Sequence, residues 1–267
     1  MVMRSMNLSP GSSVSPGRRR AGAILALAAG IALAGCGTST ASSGDQPAPT
    51  PGEGGVRVLW MGDSIAGAQA PALEAALEAG GAAFRNATSD GGGNVVAGDH
   101  PVTAKAAEDT WKTLKENLAS FRPTVIAYQI TSYDWGTARE QLSAYRRLAG
   151  AAEDAGARLV LVSAPPFKID DFFAPHEKAI RRAPAMAAKA AGAGFLDASE
   201  LWGNDYAAGK AQRAEDGIHS CQQGSAAFAT WFAKKLGGLT GFAPAAPGDW
   251  ATGPWTGDER FVKLGCG

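Results

Sequence analysis

The hydrophobic pattern of the chain switches repeatedly between short apolar runs and longer stretches with helical spacing. Val56, Val58 and Leu59 belong to an apolar run that stops at Gly62-Asp63-Ser64. Helical composition starts at Ala66, with Leu73 and Leu77 four apart beside Glu74 and Glu78, and Gly80-Gly81 ends it. Residues 82–86 form a short candidate strand, followed by a glycine-bearing loop over 86–94. Residues 103–118 read as an amphipathic helix. After Pro123, residues 124–130 are rich in branched apolar side chains, as a buried strand is, and they deliver a polar and aromatic segment, residues 131–136. The next helix is predicted over 137–155, with Leu142, Tyr145 and Leu148 on one face and Gly156 past its end. Residues 158–163 form another strand, ending before Pro165-Pro166. Residues 175–191 have helical composition, which Pro184 should break or kink. Phe195-Leu196-Asp197 is a short last strand. A loop through Trp202 and Tyr206 leads to Asp216-Gly217-Ile218-His219, which opens a final helix over 222–236.

Strands thus alternate with helices about five times. That order predicts a parallel sheet covered on both faces, a three-layer α/β/α sandwich over residues 56–240. No internal repeat is visible. Residues 241–267, with Trp250 and Trp255, carry Pro and Gly without periodicity and are expected as an irregular tail packed on the domain.

The first 55 residues fall outside this scheme. Arg18-Arg19-Arg20 is followed by an apolar stretch over 21–34, too short to span a bilayer comfortably as a helix. It ends in Leu33-Ala34-Gly35-Cys36, which resembles a bacterial lipobox; Cys36 would then be the lipid-modified first residue of the mature protein, anchoring it to the extracytoplasmic face of the cell membrane. The alternatives are an ordinary secretory signal cleaved nearby and export by the twin-arginine route. Residues 36–55 are mostly Ser, Thr, Pro and Gly, a composition that cannot bury enough surface to offset its ordering entropy and reads as a flexible tether.

Charge and cysteine count refine the picture. Lys+Arg and Asp+Glu number 25 each, so no basic excess points to nucleic acid. Hydrophobic residues make up 45% of the chain, enough for a sizeable core. With Cys36 lipidated, Cys221 and Cys266 remain, and in an exported protein two remaining cysteines are expected to pair. Two buried thiols are the alternative. A monomer is expected.

Candidate chemistry centres on Ser64. A serine at a strand-to-helix turn stands at the carboxyl end of its strand, where helix N–H groups can stabilise negative charge and where parallel sheets bind ligands. A serine hydroxyl needs a base, and the base an orienting carboxylate. The chain has three histidines, His100, His176 and His219. Only His219 has an acidic residue one turn before it, Asp216, placed after the last strand and hence at the same sheet edge as Ser64. Taken alone, Asp216 and His219 also fit a helix cap with a surface histidine. No cluster of His or Cys has ligand spacing, and no phosphate-binding glycine motif occurs, so neither metal nor cofactor is expected.

Gly62-Asp63-Ser64 after the first strand and Asp216-x-x-His219 before the last helix together resemble the SGNH (GDSL-like) hydrolase family over roughly residues 56–236. The resemblance implies a flavodoxin-like esterase fold, Ser64 as nucleophile, His219 as base and Asp216 as acid. It implies an oxyanion hole from the Ser64 N–H and a glycine that best matches Gly91, with Gly92 as the alternative. The family's third block, Gly-x-Asn-Asp, is replaced by Thr131-Ser132-Tyr133-Asp134, so Tyr133 stands where the oxyanion-binding asparagine would be; Tyr133, Asn94 or Ser132 are the candidate substitutes. The segment around Tyr133, Asp134, Trp135 and Gly136 looks like SGNH domains attached to membrane acyltransferases that modify cell-surface polysaccharides. An acylated carbohydrate substrate follows from that likeness, with Trp135 and Asp134 as substrate-binding residues. Trp60 and Trp202 fit either a sugar-stacking surface or, better, the core. Esterase, acyltransferase and non-catalytic binding lipoprotein are the three functional readings.

Overall fold

The computed structural model describes residues 55–191, 194–205 and 212–266. The leader, Cys36 and most of the tether, as well as Tyr206, lie outside the described residues. Five parallel strands form the sheet: β1 (Arg57–Met61), β2 (Ala83–Asn86), β3 (Val125–Gln129), β4 (Arg158–Val162) and β5 (Phe195–Leu196), in the order β2-β1-β3-β4-β5. Between them run α1 (Ser64–Ala79), α2 (Pro101–Ser120), α3 (Ala138–Asp154) and α4 (Glu177–Ala191). The short α5 (Ser199–Trp202) and the long α6 (Gln222–Thr240) come after β5. The chain order reverses between β1 and β3, which is where an open parallel sheet opens a crevice at its carboxyl edge.

Because side chains alternate along a strand, each central strand feeds both layers. Val58, Trp60, Val125, Ala127, Val160 and Val162 face a core completed by Leu73 and Leu77 of α1 and Phe228, Phe232 and Leu236 of α6. Leu59, Met61, Ile126, Tyr128 and Leu161 face the other, closed by Leu114 of α2, Tyr145 and Leu148 of α3, and Met186 of α4. The three-layer α/β/α sandwich expected from the alternation is the fold. Trp60 and Trp202 are fully buried, each ring packed against Phe228, and are core residues.

Local deviations have local causes. Pro184 does not interrupt α4, which runs through it, with Ala183, Met186 and Ala187 buried against the sheet. One missing N–H is outweighed where so much of the helix face is packed. Part of the segment expected as a loop before Tyr206 is the four-residue α5. The tail is more ordered than its lack of periodicity suggests. It holds two 3₁₀ turns, over Pro247–Asp249 and Pro254–Gly257, and a five-residue helix, α7 (Glu259–Lys263). Such short turns are set by proline, by caps and by burial of single side chains rather than by repeating pattern: Asp258 caps α7 by accepting from the Arg260 N–H, and Phe261 is fully buried.

A disulfide joins Cys221, at the start of α6, to Cys266, with Cα atoms 5.5 Å apart and 45 residues of separation. Cys266, Phe261 and Ala214 form a small separate apolar cluster around it. Closing a loop of this length stabilises the fold by about 4 kcal/mol in the chain-entropy account. Reduction, or Cys266→Ser, is therefore expected to lower the free energy of unfolding by about 3–4 kcal/mol in denaturant titration, without removing the strand and helix signals of the main sandwich.

Candidate active site

Ser64 is the first residue of α1, delivered by the end of β1. The bend at Gly62 has φ +150°, and a Cβ there would lie 2.6 Å from the Ala66 Cβ and 3.2 Å from the Gln129 carbonyl oxygen, so only glycine fits. Asp63 caps the helix. Its buried carboxylate accepts from the Ile65 N–H at 3.0 Å and, through the other oxygen, from the Ser132 N–H at 2.8 Å and hydroxyl at 2.7 Å. Burial pushes this carboxyl above its ordinary value, against the pull of those donors. Asp63 thereby fixes the Ser64 turn to the loop after β3, across the sheet's switch point.

His219 arrives from the far end of the chain. Its Nε2 lies 2.8 Å from Ser64 Oγ, and its Nδ1 lies 2.5 Å from Asp216 Oδ2. The other Asp216 oxygen accepts from the backbone N–H groups of Ile218 at 2.7 Å and His219 at 3.0 Å. Burial works to raise the Asp216 carboxyl, but the His219 ring and the two backbone donors outweigh it and hold the group below its ordinary value. The loop carrying the pair is pinned on several sides. Ala214 N–H donates to the His219 carbonyl, Lys168 N–H donates to the Gly217 carbonyl, and the Arg213 guanidinium donates to the Gly217 and Ile218 carbonyls. The Cys221–Cys266 bond follows two residues after His219. The hydrogen-bonded order is therefore hydroxyl, imidazole, carboxylate, with the hydroxyl on the first residue of α1.

The remaining site expectations fare differently. Gly91 is exposed and a Cβ there would meet nothing within 4 Å; it borders a different hollow from the one holding Ser64. The glycine pressed on the turn that carries Ser64 is Gly93, at φ +74°, where a Cβ would come 2.0 Å from the Gly62 carbonyl oxygen. Gly92 is buried against Ala106 of α2. Counting along a loop did not reveal which of three successive glycines turns inward. Asn94 is fully buried and both amide hydrogens are spent, on the carbonyls of Val96 at 2.7 Å and Thr103 at 2.9 Å, so it has no donor for an oxyanion. Ser132 is committed to Asp63. Tyr133 is half-buried among Trp135, Phe172 and Phe173, and its hydroxyl has no hydrogen-bond partner among the described residues. Burial, with the charges of Asp63 and Asp170 nearby, raises its pKa and keeps it a protonated donor at neutral pH.

Asp134 and Trp135 cannot contact a substrate from where they stand. Asp134 is 0% exposed, and its carboxylate accepts from Tyr128 Oη at 2.7 Å, Tyr145 Oη at 3.1 Å and the N–H groups of Thr131, Val95 and Val96. Trp135 is 2% exposed, its ring stacked at 3.4 Å on His176 and its Nε1–H donated to the Ser132 carbonyl. Both hold the loop after β3 in shape. Sequence reasoning missed the walls of the hollow that contains Ser64 and His219, about 470 Å³ in volume; Arg260 and Lys263 of the tail line it together with Glu74 and Asp90.

Residues 35–220 match the family described as SGNH domain (fused to AT3 domains). The chain belongs to the SGNH family, and is by class a serine ester hydrolase. No curated protein matches it. Among solved structures it is similar to a carbohydrate acetylesterase family member from Sinorhizobium meliloti, at 16% identity and TM-score 0.51 over 70% of this chain and 99% of that one. It is also similar to a Bacteroides fragilis protein assigned as an acylhydrolase, at 13% identity and TM-score 0.52 over 73% and 92%. An acetyl-xylooligosaccharide esterase variant from Geobacillus aligns at 17% identity and TM-score 0.49 over 69% and 95%. At these identities the likeness is one of fold.

Asp134 carries the prediction for this region. Its carboxyl is raised from an ordinary 3.8 to about 6, chiefly by burial. A folded-state value above the unfolded one means that its contribution to stability is complete below about pH 4 and is lost as pH rises through about 6. Asp134→Ala orphans several buried donors and is expected to cost roughly 3 kcal/mol at pH 7. The stability gap between wild type and variant should narrow between about pH 4 and 6, and KM for a small ester should stay within about threefold. A large rise in KM at full folding would restore Asp134 as a substrate ligand.

Proposed function

We propose that the protein is a lipid-anchored extracytoplasmic esterase that removes O-acyl groups, acetyl first among them, from carbohydrate of the cell envelope, with Ser64, His219 and Asp216 as its catalytic triad. The observation that carries the chemistry is the pair of contacts at His219, 2.8 Å to Ser64 Oγ on one ring nitrogen and 2.5 Å to Asp216 on the other. In the reaction, Ser64 Oγ bonds to the acyl carbonyl carbon as its proton passes to His219 Nε2. Asp216 stabilises the imidazolium. The bond to the sugar oxygen then breaks, and that oxygen takes the proton from His219. Water, deprotonated by the same ring, releases the acid and restores Ser64. The Ser64 N–H at the α1 terminus and the Tyr133 hydroxyl are the donors proposed for the oxyanion. In this reading the Tyr133 hydroxyl takes the role of the family's asparagine, and one such donor contributes about 2.7–4 kcal/mol to transition-state stabilisation.

Support for an acylated carbohydrate is the acetylesterase named among the fold relatives and the family's description as fused to AT3 domains. The same description favours a second reading, in which a sugar hydroxyl replaces water and the enzyme is an O-acyltransferase. The anchor rests on Leu33-Ala34-Gly35-Cys36 and the basic and apolar segments before it.

A fluorophosphonate probe is expected to label the purified protein, and Ser64→Ala to abolish labelling and lower aryl acetate turnover by roughly 10³-fold or more. Free acetate from an acetylated oligosaccharide marks the esterase; acetate appearing on an added sugar marks the transferase; neither labelling nor turnover leaves a binding protein. For the anchor, wild type should incorporate labelled fatty acid and sediment with membranes, and Cys36→Ala should do neither. Unlabelled, soluble wild-type protein would remove the lipoprotein reading.

A further inference from the structure

The hollow containing Ser64 and His219 has one wall that lies beyond the residues matched to the family. That wall is α7, whose Arg260 and Lys263 line the cavity together with Glu74 of α1 and Asp90 of the loop after β2. Arg260 is held in place by three independent constraints. Its Nη1 pairs with Asp90 Oδ1 at 3.0 Å, while Asp258 caps the helix that carries it. Its guanidinium lies over Gly67, one turn along α1 from Ser64, so closely that a Cβ on Gly67 would come 2.7 Å from Nη1. The buried Phe261 and the Cys221–Cys266 bond fasten the neighbouring residues of the same segment to the loop of the catalytic base.

A cavity about 470 Å³ in volume is far larger than an acetyl group, so most of it is available to the part of the ester that leaves. Its walls combine acceptors, Glu74 and Asp90, with donors, Arg260, paired with Asp90, and Lys263, paired with Glu259 at 2.8 Å. Vicinal hydroxyls donate to the first and accept from the second. Asp258 and Glu259 also border the hollow, so carboxylates outnumber cations and a polyanionic leaving group is disfavoured. The clustering is felt at Glu74, whose carboxyl is raised by its own partial burial and by the charges of Glu78 and Asp258.

We propose that α7 forms the leaving-group subsite of the esterase, that Arg260 is its specificity-determining residue, and that the group it takes is an uncharged polyhydroxylated sugar. This rests on the esterase reading above. It deepens that reading by assigning the sugar to the side of Ser64 built by the tail.

The test compares kcat/KM for an acetylated neutral xylo-oligosaccharide with that for 4-nitrophenyl acetate, whose leaving group is too small to span the hollow. In Arg260→Ala the ratio of the two should fall at least tenfold, mainly through KM of the sugar ester, with partial recovery in Arg260→Lys. Gly67→Ala gives a second route that leaves Arg260 in the sequence: the new methyl crowds only side-chain atoms, the Arg260 guanidinium at 2.7 Å and Thr88 Oγ1 at 3.2 Å, and alanine suits a helix better than glycine, so the guanidinium is pushed from its place and the same fall in ratio is expected in a folded protein. Glu74→Gln should move preference toward an acetylated uronate oligosaccharide by at least threefold. A ratio within twofold of wild type in both Arg260→Ala and Gly67→Ala overturns the proposal, as does wild-type turnover of the aryl ester with none of the neutral sugar ester. Failure of wild type on both substrates instead overturns the esterase reading itself.

Discussion

Two side chains separated by 155 residues in sequence meet at 2.8 Å. That contact, Ser64 to His219, is the constraint around which the molecule is arranged. A hydrogen bond of this kind contributes little net stability and cannot hold two loops together. It must be produced by parts that are already rigid. On one side, β1 is buried on both faces and ends in a bend that admits only glycine. On the other, the His219 loop is tied by backbone bonds to Lys168 and Ala214, by the Arg213 guanidinium and by a covalent bridge. The geometry of the pair is thus the output of sheet order and loop fastening, neither of which involves the reacting groups.

Between these two sides lies the loop after β3, and its rigidity comes from buried charge. Asp63 binds the Ser132 backbone and hydroxyl, and Asp134 gathers two tyrosine hydroxyls and three backbone N–H groups. Burying a carboxylate is costly, but a fully satisfied one specifies a single arrangement of everything that donates to it. The third block that the resemblance points to is altered at Thr131 and Tyr133, yet Asp134 remains. Asp134 is fully buried and organises the loop from within, whereas Tyr133 is half-buried among Trp135, Phe172 and Phe173.

The fold was legible because its signals are periodic. Central strands such as residues 125–129 are buried throughout and apolar but for Gln129, helices such as α3 carry a stripe, and the alternation of the two dictates a doubly covered sheet. The juxtaposition of Ser64 with Asp216 and His219 was legible for a related reason, since both segments follow strands and must share one edge. What was not legible depends on side-chain direction within loops. Asp134 and Trp135 are polar or amphipathic residues at the correct edge, and nothing in their sequence says that they point inward. Gly91, Gly92 and Gly93 differ only in the backbone around them. The terminal helix, five residues long, has no period to read, and its partners Gly67 and Asp90 are far away in sequence.

The disulfide has a mechanical meaning beyond its loop-closure term. One end lies two residues from the His219 imidazole, and the other closes the segment that walls the same hollow. Any excursion that lifts the terminal segment off the domain must drag the imidazole's loop with it, so these two parts of the surface open and close as a single cooperative unit rather than fraying separately. The geometry of the Ser64–His219 pair is in this way coupled to α7, a five-residue helix with no stripe of its own to hold it down.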